Sequence, residues 1–248
     1  MNQNKQGLNR FRNALVKHAR SEFINNKEER DRILNRVSEI LFSEKSIVDE
    51  KLESVEKRII QKIVRGFLEI DKSYQTLNDI PLYIRNFPAK LNSKERYFYY
   101  NISNYLNEVY ILHNRLEAYT KIITRIYRND PIVPKIQKQL KILKDLLSFT
   151  FSDIVHIRGA HVHEERFTDR DLYTVGFAES LSNEKYSDLK RSDVNYLLRL
   201  SIRAARGKWL DMMKKNNKNI KRVLDVYFGV LHQLVFNVNN QIKLPKNQ

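Results

Sequence analysis

Three of the six histidines in the chain fall within eight residues, at positions 156, 161 and 163, and Arg158 stands among them. A histidine with a pKa near neutrality takes up or gives up a proton, and a guanidinium holds a phosphate through two hydrogen bonds. These side-chain types suit transesterification of RNA, in which a 2′-hydroxyl attacks the neighbouring phosphate and the guanidinium stabilises the developing charge. The alternative interpretation is an ion-paired helix end in solvent, with Arg158 near Glu164 and Glu165.

The spacing assigns candidate roles within this cluster. Arg158 and His163 are separated by about 140° on an ideal helix, and they converge if the last turn loosens near Gly159 or at the helix end. His161 is the nearer neighbour of Arg158 and serves as substitute or helper. The predicted catalytic residues are therefore Arg158, His163 and His161. One such pair supplies one proton-transfer group, so acid and base are expected to come from two copies across a symmetric homodimer.

A metal site is the weaker interpretation of the same residues. His161, His163 and Glu164 offer imidazole and carboxylate ligands. However, positions i and i+2 point to different sides of a helix, and no second cluster completes a coordination shell. We predict neither a metal nor a cofactor.

Hydrophobic spacing predicts that helices position these residues. The six glycines and five prolines are too few for the turns of an all-β or doubly wound fold, and no glycine-rich phosphate loop is present. The fold class predicted is an all-α up-and-down bundle with an N-terminal helical extension. Apolar residues at helical spacing predict helices over 8–25, 28–43, 47–71, 94–128, 134–163, 169–181, 190–216 and 218–236.

Residues that interrupt the helical spacing of apolar residues predict the boundaries between helices. Residues 72–93 contain Pro81 and Pro88 without a helical period, which predicts an irregular linker. The chain is accordingly divided into an extension at 1–93 and a bundle at 94–248. Ser93 is the predicted N-cap of the helix at 94, and Thr168 with Asp171 has capping-box spacing. A break is expected at the polar run 214–218.

The charge balance favours a polyanionic partner. Forty-five Lys and Arg against 29 Asp and Glu give a net charge of +16, whose summed field attracts nucleic acid first and anionic membrane second. A solvated surface is the alternative. The aromatic run 97–100 offers rings for base stacking, and the alternative, which we predict for Phe98, is core packing. The predicted RNA-binding residues are Arg166, Arg199, Arg203, Arg206, Lys208, Lys214 and Lys215.

Composition also bears on the compartment. The chain has no cysteine, which excludes disulfides, thiolate metal sites and cysteine nucleophiles. No stretch reaches the roughly 18 apolar residues of a membrane span. These features predict a cytoplasmic protein with no membrane partner.

The segment from Arg158 to His163 resembles the Arg, four to six residues, His motif of the HEPN superfamily, the higher eukaryotes and prokaryotes nucleotide-binding domains. The order of helices around it is also similar, over about residues 94–240. The resemblance implies a HEPN-type bundle and a metal-independent endoribonuclease whose composite site forms across a dimer. Such enzymes commonly act in toxin–antitoxin and antiviral systems, which implies an antitoxin or sensor partner protein.

Two alternatives stay open beside the ribonuclease. Active HEPN members often carry a polar residue directly after the arginine, where this chain has Gly159. A HEPN-like module that binds nucleotide, nucleic acid or protein without catalysis is therefore the second hypothesis. A helical adaptor whose basic face binds a membrane or an acidic partner is the third.

Overall fold

The computed structural model describes residues 6–25, 54–86, 93–131, 133–163, 169–183 and 190–245, without the side chains of 21–25, 143, 146 and 153–163. Within these ranges the chain forms six α-helices and no β-strand, so the all-α prediction is confirmed. The helices are α1 (Gly7–Asn25), α2 (Val55–Arg85), α3 (Lys94–Ile126), α4 (Val133–His163), α5 (Arg170–Asn183) and α6 (Arg191–Val235). An antiparallel bridge pairs Phe236 with Ile242 beyond α6.

Four predicted helices match α1, α3, α4 and α5 to within two residues at each end. Their apolar stripes are the buried positions, as in the succession Ile102, Val109, Leu112 and Leu116 along α3. The predicted helix over 28–43 lies outside the described residues, as does the beginning of the helix over 47–71.

The prediction of an irregular linker over 72–93 is wrong for its first part, because α2 continues to Arg85 with Pro81 inside it. Leu77, Ile80 and Ile84 are buried and extend the apolar stripe of this helix. Proline removes the backbone N–H that would bond to the carbonyl four residues earlier, here that of Leu77. The side-chain amide of Asn217 donates to this carbonyl at 2.7 Å, so the acceptor that Pro81 leaves without its backbone donor is satisfied.

The predicted break at 214–218 is also wrong, since α6 runs unbroken through these residues. Met213 and Ile220 are buried on either side of the polar run, while Lys214, Lys215 and Lys218 are exposed. Lysine is a good helix former, and no glycine or proline interrupts the segment. The run is therefore the solvated face of one 45-residue helix.

Helix starts agree with the capping prediction at α3 and correct it at α5. The Ser93 hydroxyl accepts from the N–H of Arg96 at 3.3 Å, which confirms Ser93 as N-cap. A buried carboxylate from α5, Glu179, accepts from the N–H of Lys94 at 2.8 Å at the same end. At α5 the cap is Asp169, which accepts from the N–H of Leu172 at 3.2 Å. The cap thus lies one residue after Thr168, which is outside the described residues.

The chain divides into two compact units, and α2, α3, α4 and α6 contribute to both. The first comprises residues 1–67, 118–144 and 222–248 and has an aromatic core. In that core Phe11 lies 5.3 Å from Phe67 and 4.9 Å from Phe228, between ring centroids. The second comprises residues 68–117 and 145–221 and holds the candidate site. The predicted division at residue 93, as a boundary between an extension and a bundle, stays a prediction.

Candidate functional site

The predicted catalytic residues occupy the last two turns of α4, which remains helical through Gly159 to His163. An uninterrupted helix places Arg158 and His161 one turn apart on the same face and His163 about 140° from Arg158. The loosened turn considered near Gly159 is therefore absent from the backbone of α4. The side chains of these residues lie outside the description, and so does the whole of Arg166.

Three other histidines are described, and each is packed in the interior or against it. His18 and His232 are buried. The ring of His113 packs edge-on against Phe151 with centroids 6.1 Å apart. Burial lowers the pKa of His232, and the positive charge of Arg10 lowers it further, although a hydrogen bond to Asn240 acts in the opposite direction. These environments are structural and leave the histidines at the end of α4 as the candidates for proton transfer.

The predicted RNA-binding residues that the structure describes all lie on α6. Arg199, Arg203 and Lys214 are exposed and Arg206 is half-buried, and their spacing places the four along one side of the helix. The exposed Lys215 follows Lys214 by about 100° around the axis and belongs to a neighbouring face.

Lys208 differs from the other predicted RNA-binding residues that the structure describes, because two carboxylates already hold it. Its ammonium group lies 2.5 Å from Asp171 and 3.0 Å from Asp169. Hydrogen bonds to Asp171 and Asp169, in that order of importance, raise the pKa of Lys208. The pairing ties α6 to the N-terminus of α5, where acidic side chains are favoured by the helix dipole. We therefore expect Lys208 to contribute less to any phosphate contact than the lysines of the polar run.

A groove of about 570 Å³ lies between the second half of α2 and the middle of α6. Four cationic side chains line it, from Arg85, Lys214, Lys218 and Lys221, with one acid, Asp211. Tyr74 and Leu210 are among the residues that form its walls. The sequence prediction includes Lys214 but misses the groove, because the apolar spacing predicts a helix that ends at residue 71. The spacing of the three lysines at i, i+4 and i+7 was the available signal.

The aromatic run at the start of α3 is divided between core and surface. Phe98 is buried, as predicted, whereas Tyr100 is 65% exposed. The hydroxyl of Tyr97 donates to the carbonyl of Tyr83 on α2. The four rings therefore do not form one stacking surface.

Among the described residues, no three His, Cys, Asp or Glu side chains are grouped as a metal site would require. None of the described helices is long and apolar enough to cross a membrane. No protein-family model, curated protein or solved structure matches the chain.

Proposed function

We propose that the chain is a metal-independent endoribonuclease of the HEPN type, built as an up-and-down bundle and acting as a defence or toxin effector. The observation that carries the proposal is the position of Arg158, His161 and His163 in the last two turns of a long helix, α4. Two further helices follow, in a chain with a net charge of +16. This combination of residue types, placement and charge supports RNA as the substrate.

The reaction is an internal transesterification. A histidine takes the proton of the 2′-hydroxyl, and the oxygen forms a bond to the adjacent phosphorus. The bond from phosphorus to the 5′-oxygen breaks, and that oxygen receives a proton from a second acid. The products are a 2′,3′-cyclic phosphate and a 5′-hydroxyl. Arg158 binds the phosphate and stabilises its added negative charge, while His163 acts as acid or base with His161 as helper.

The geometry of α4 supports a site shared between two copies. Arg158 and His163 are placed about 140° apart around the axis of an unbroken helix, so the two positions do not share one face of α4. In a twofold dimer, residues on different faces of α4 can meet their counterparts from the partner. A composite site of this kind provides both the acid and the base that the reaction needs.

The test is incubation of purified protein with total RNA in the presence of EDTA. We expect cleavage with 2′,3′-cyclic phosphate ends. The variants His163→Ala and Arg158→Ala should lower the rate by 10²-fold or more, in line with the usual contribution of a proton-transfer group. His156→Ala is the matched control, because it removes an imidazole from the same helix outside the motif. Circular dichroism checks that each variant is folded.

Full activity in folded Arg158→Ala and His163→Ala variants would overturn the assignment. Full activity in folded His163→Ala with loss in His161→Ala would instead transfer the proton-transfer role to His161. Cleavage that stops in EDTA would contradict a metal-independent reaction.

Gly159 supports a second candidate function, a HEPN-like module that binds nucleotide, nucleic acid or a protein partner without catalysis. This position lacks the polar side chain that active members of the superfamily often carry there. The binding module predicts RNA retention without cleavage in the same assay. We also propose that an antitoxin or sensor protein restrains the chain. The proposed location is the cytoplasm.

A further inference from the structure

The groove between α2 and α6 concentrates positive charge in a concave surface. Arg85 contributes from the end of α2, and Lys214, Lys218 and Lys221 contribute from successive turns of α6. Among the described residues that line the groove, Asp211 is the one acid, so their net charge is +3. A cleft lined by one sign of charge focuses the electrostatic field and attracts the opposite charge. The groove is therefore suited to an anionic ligand.

Most of this charge is not neutralised within the part of the chain that the structure describes. Among those residues, Arg85, Lys214 and Lys218 form no ion pair, in contrast to Lys208, which is held by Asp169 and Asp171. Lys208 thus ties two helices together, whereas Lys214 and Lys218 have no carboxylate partner among the described residues.

The walls of the groove suit bases as well as phosphates. Tyr74 is half-buried in the lining, and Leu82 and Leu210 add apolar surface. Asn217 is a rigid part of the wall, because its amide accepts from the Tyr105 hydroxyl at 2.8 Å and donates to the Leu77 carbonyl. An aromatic ring beside a basic track is the arrangement that binds single strands, since every unpaired base can stack on it.

The positive charge extends beyond the groove along the same helix. Arg199, Arg203 and Arg206 lie on the side of α6 that also carries Lys214 and Lys221. From residue 199 to residue 221 the line spans roughly 33 Å at 1.5 Å per residue. A mononucleotide would need the groove alone, whereas a line of this length matches a polymer of phosphates.

We propose that the groove binds the phosphodiester backbone of single-stranded RNA, with Tyr74 stacking on an unpaired base. The inference rests on the proposed function, since it names how the substrate strand is held. It concerns binding, however, and is measured separately from cleavage. The residues that it adds to the sequence-based set are Tyr74, Arg85, Lys218 and Lys221.

The experiment measures binding of a fluorescently labelled 20-nucleotide oligouridine by anisotropy, in a His163→Ala background that prevents cleavage. Lys214→Glu/Lys218→Glu is the groove variant. Lys135→Glu/Lys138→Glu is the matched control, because it makes the same charge change at two exposed lysines of α4. We expect at least a tenfold loss of affinity in the groove variant and less than a threefold loss in the control. The log–log salt slope should fall by about 1.4, at roughly 0.7 for each lost contact.

The aromatic wall has its own arm in the experiment. Tyr74→Ala should weaken binding roughly fivefold or more, since stacking is worth about 1–3 kcal/mol per base. Tyr74→Phe keeps the ring and should retain the affinity. Equal losses in the two Tyr74 variants would contradict a stacking role.

Three results would overturn the proposal. The groove and control pairs could weaken binding equally, which would mean that only the overall charge matters. A duplex of the same length could bind as tightly as the single strand. Vesicles rich in phosphatidylserine could require the groove lysines when RNA does not, which would assign the groove to a membrane.

The failure of cleavage can be distinguished from the failure of this proposal. If wild-type protein does not cleave RNA but the groove variant loses affinity, the groove assignment holds and the ribonuclease does not. If cleavage occurs and the groove variant binds normally, the ribonuclease holds and the groove assignment fails.

Discussion

The side chain of Asn217 lies outside the candidate catalytic cluster and is hydrogen-bonded through both its oxygen and its nitrogen. It joins three helices of one compact unit, because it accepts from Tyr105 on α3 and donates to the carbonyl of Leu77 on α2. Burial raises the pKa of Tyr105 well above its ordinary value, so this phenol stays protonated as a donor. The residue thus lets Pro81 sit inside α2 without an unsatisfied carbonyl.

We expect Asn217→Ala to destabilise the protein by about 1–3 kcal/mol, because the Leu77 carbonyl loses its donor and the Tyr105 hydroxyl keeps only a long hydrogen bond, 3.5 Å, to the carbonyl of Met213. Restoring a backbone N–H with Pro81→Ala allows the Leu77 carbonyl to bond within the helix, so the cost of Asn217→Ala should be smaller in that background. Urea unfolding of the four members of this cycle measures the coupling. Additive changes would contradict the link between Asn217 and Pro81.

Close approach between two helices depends on small residues at the positions where the helices contact each other. Gly66 of α2 faces α3 within the first compact unit, where a methyl group added to it would lie 2.4 Å from a ring carbon of Tyr119. Tyr119 is 1% exposed, and its hydroxyl donates to the carbonyl of Ile63 at 3.1 Å. The ring is thus buried and held by its hydroxyl, and it has little freedom to move away.

Gly66→Ala should therefore destabilise the protein by about 1–3 kcal/mol through overpacking, despite the better helix propensity of alanine. Gly207→Ala on α6 is the matched control, since an added methyl group there meets nothing within 4 Å. The control should stabilise the protein by up to about 1 kcal/mol. Thermal unfolding of both variants gives the comparison, and a stabilised Gly66→Ala would show that the two helices can separate slightly at no cost.

In the whole molecule, the cations behind the net charge of +16 lie in different environments, which the composition does not show. Some cations, such as Lys208, form ion pairs that connect two helices. Others line a groove or continue it along α6. If the groove binds RNA as proposed, the strand follows this path, and the remaining positive charge contributes mainly to the rate of encounter.

The whole molecule should also be a twofold homodimer, because one copy carries one Arg158 and His163 pair and the reaction needs both an acid and a base. Light scattering coupled to size-exclusion chromatography should give twice the mass of the 29.7 kDa chain. A strict monomer that still cleaves RNA would contradict the composite site, although it would leave the motif itself in place.

The helical class, the limits of four helices and the Ser93 cap could all be predicted from the sequence. These depend on local spacing and on hydrogen bonds between residues close in the chain, which the pattern of apolar and capping residues records. The candidate catalytic cluster also came from the sequence, since three histidines and an arginine fall within eight positions.

The continuation of α2 through Pro81 and of α6 through its polar run depends on contacts between residues far apart in the chain. The first depends on Asn217, which lies 140 residues from Leu77 along the chain and has no local signature. The second depends on the burial of Met213 and Ile220 on either side of the lysines. The groove forms because α2 extends to Arg85 and α6 extends through its polar run. Its four cations therefore come together through packing between distant segments, which no short segment encodes.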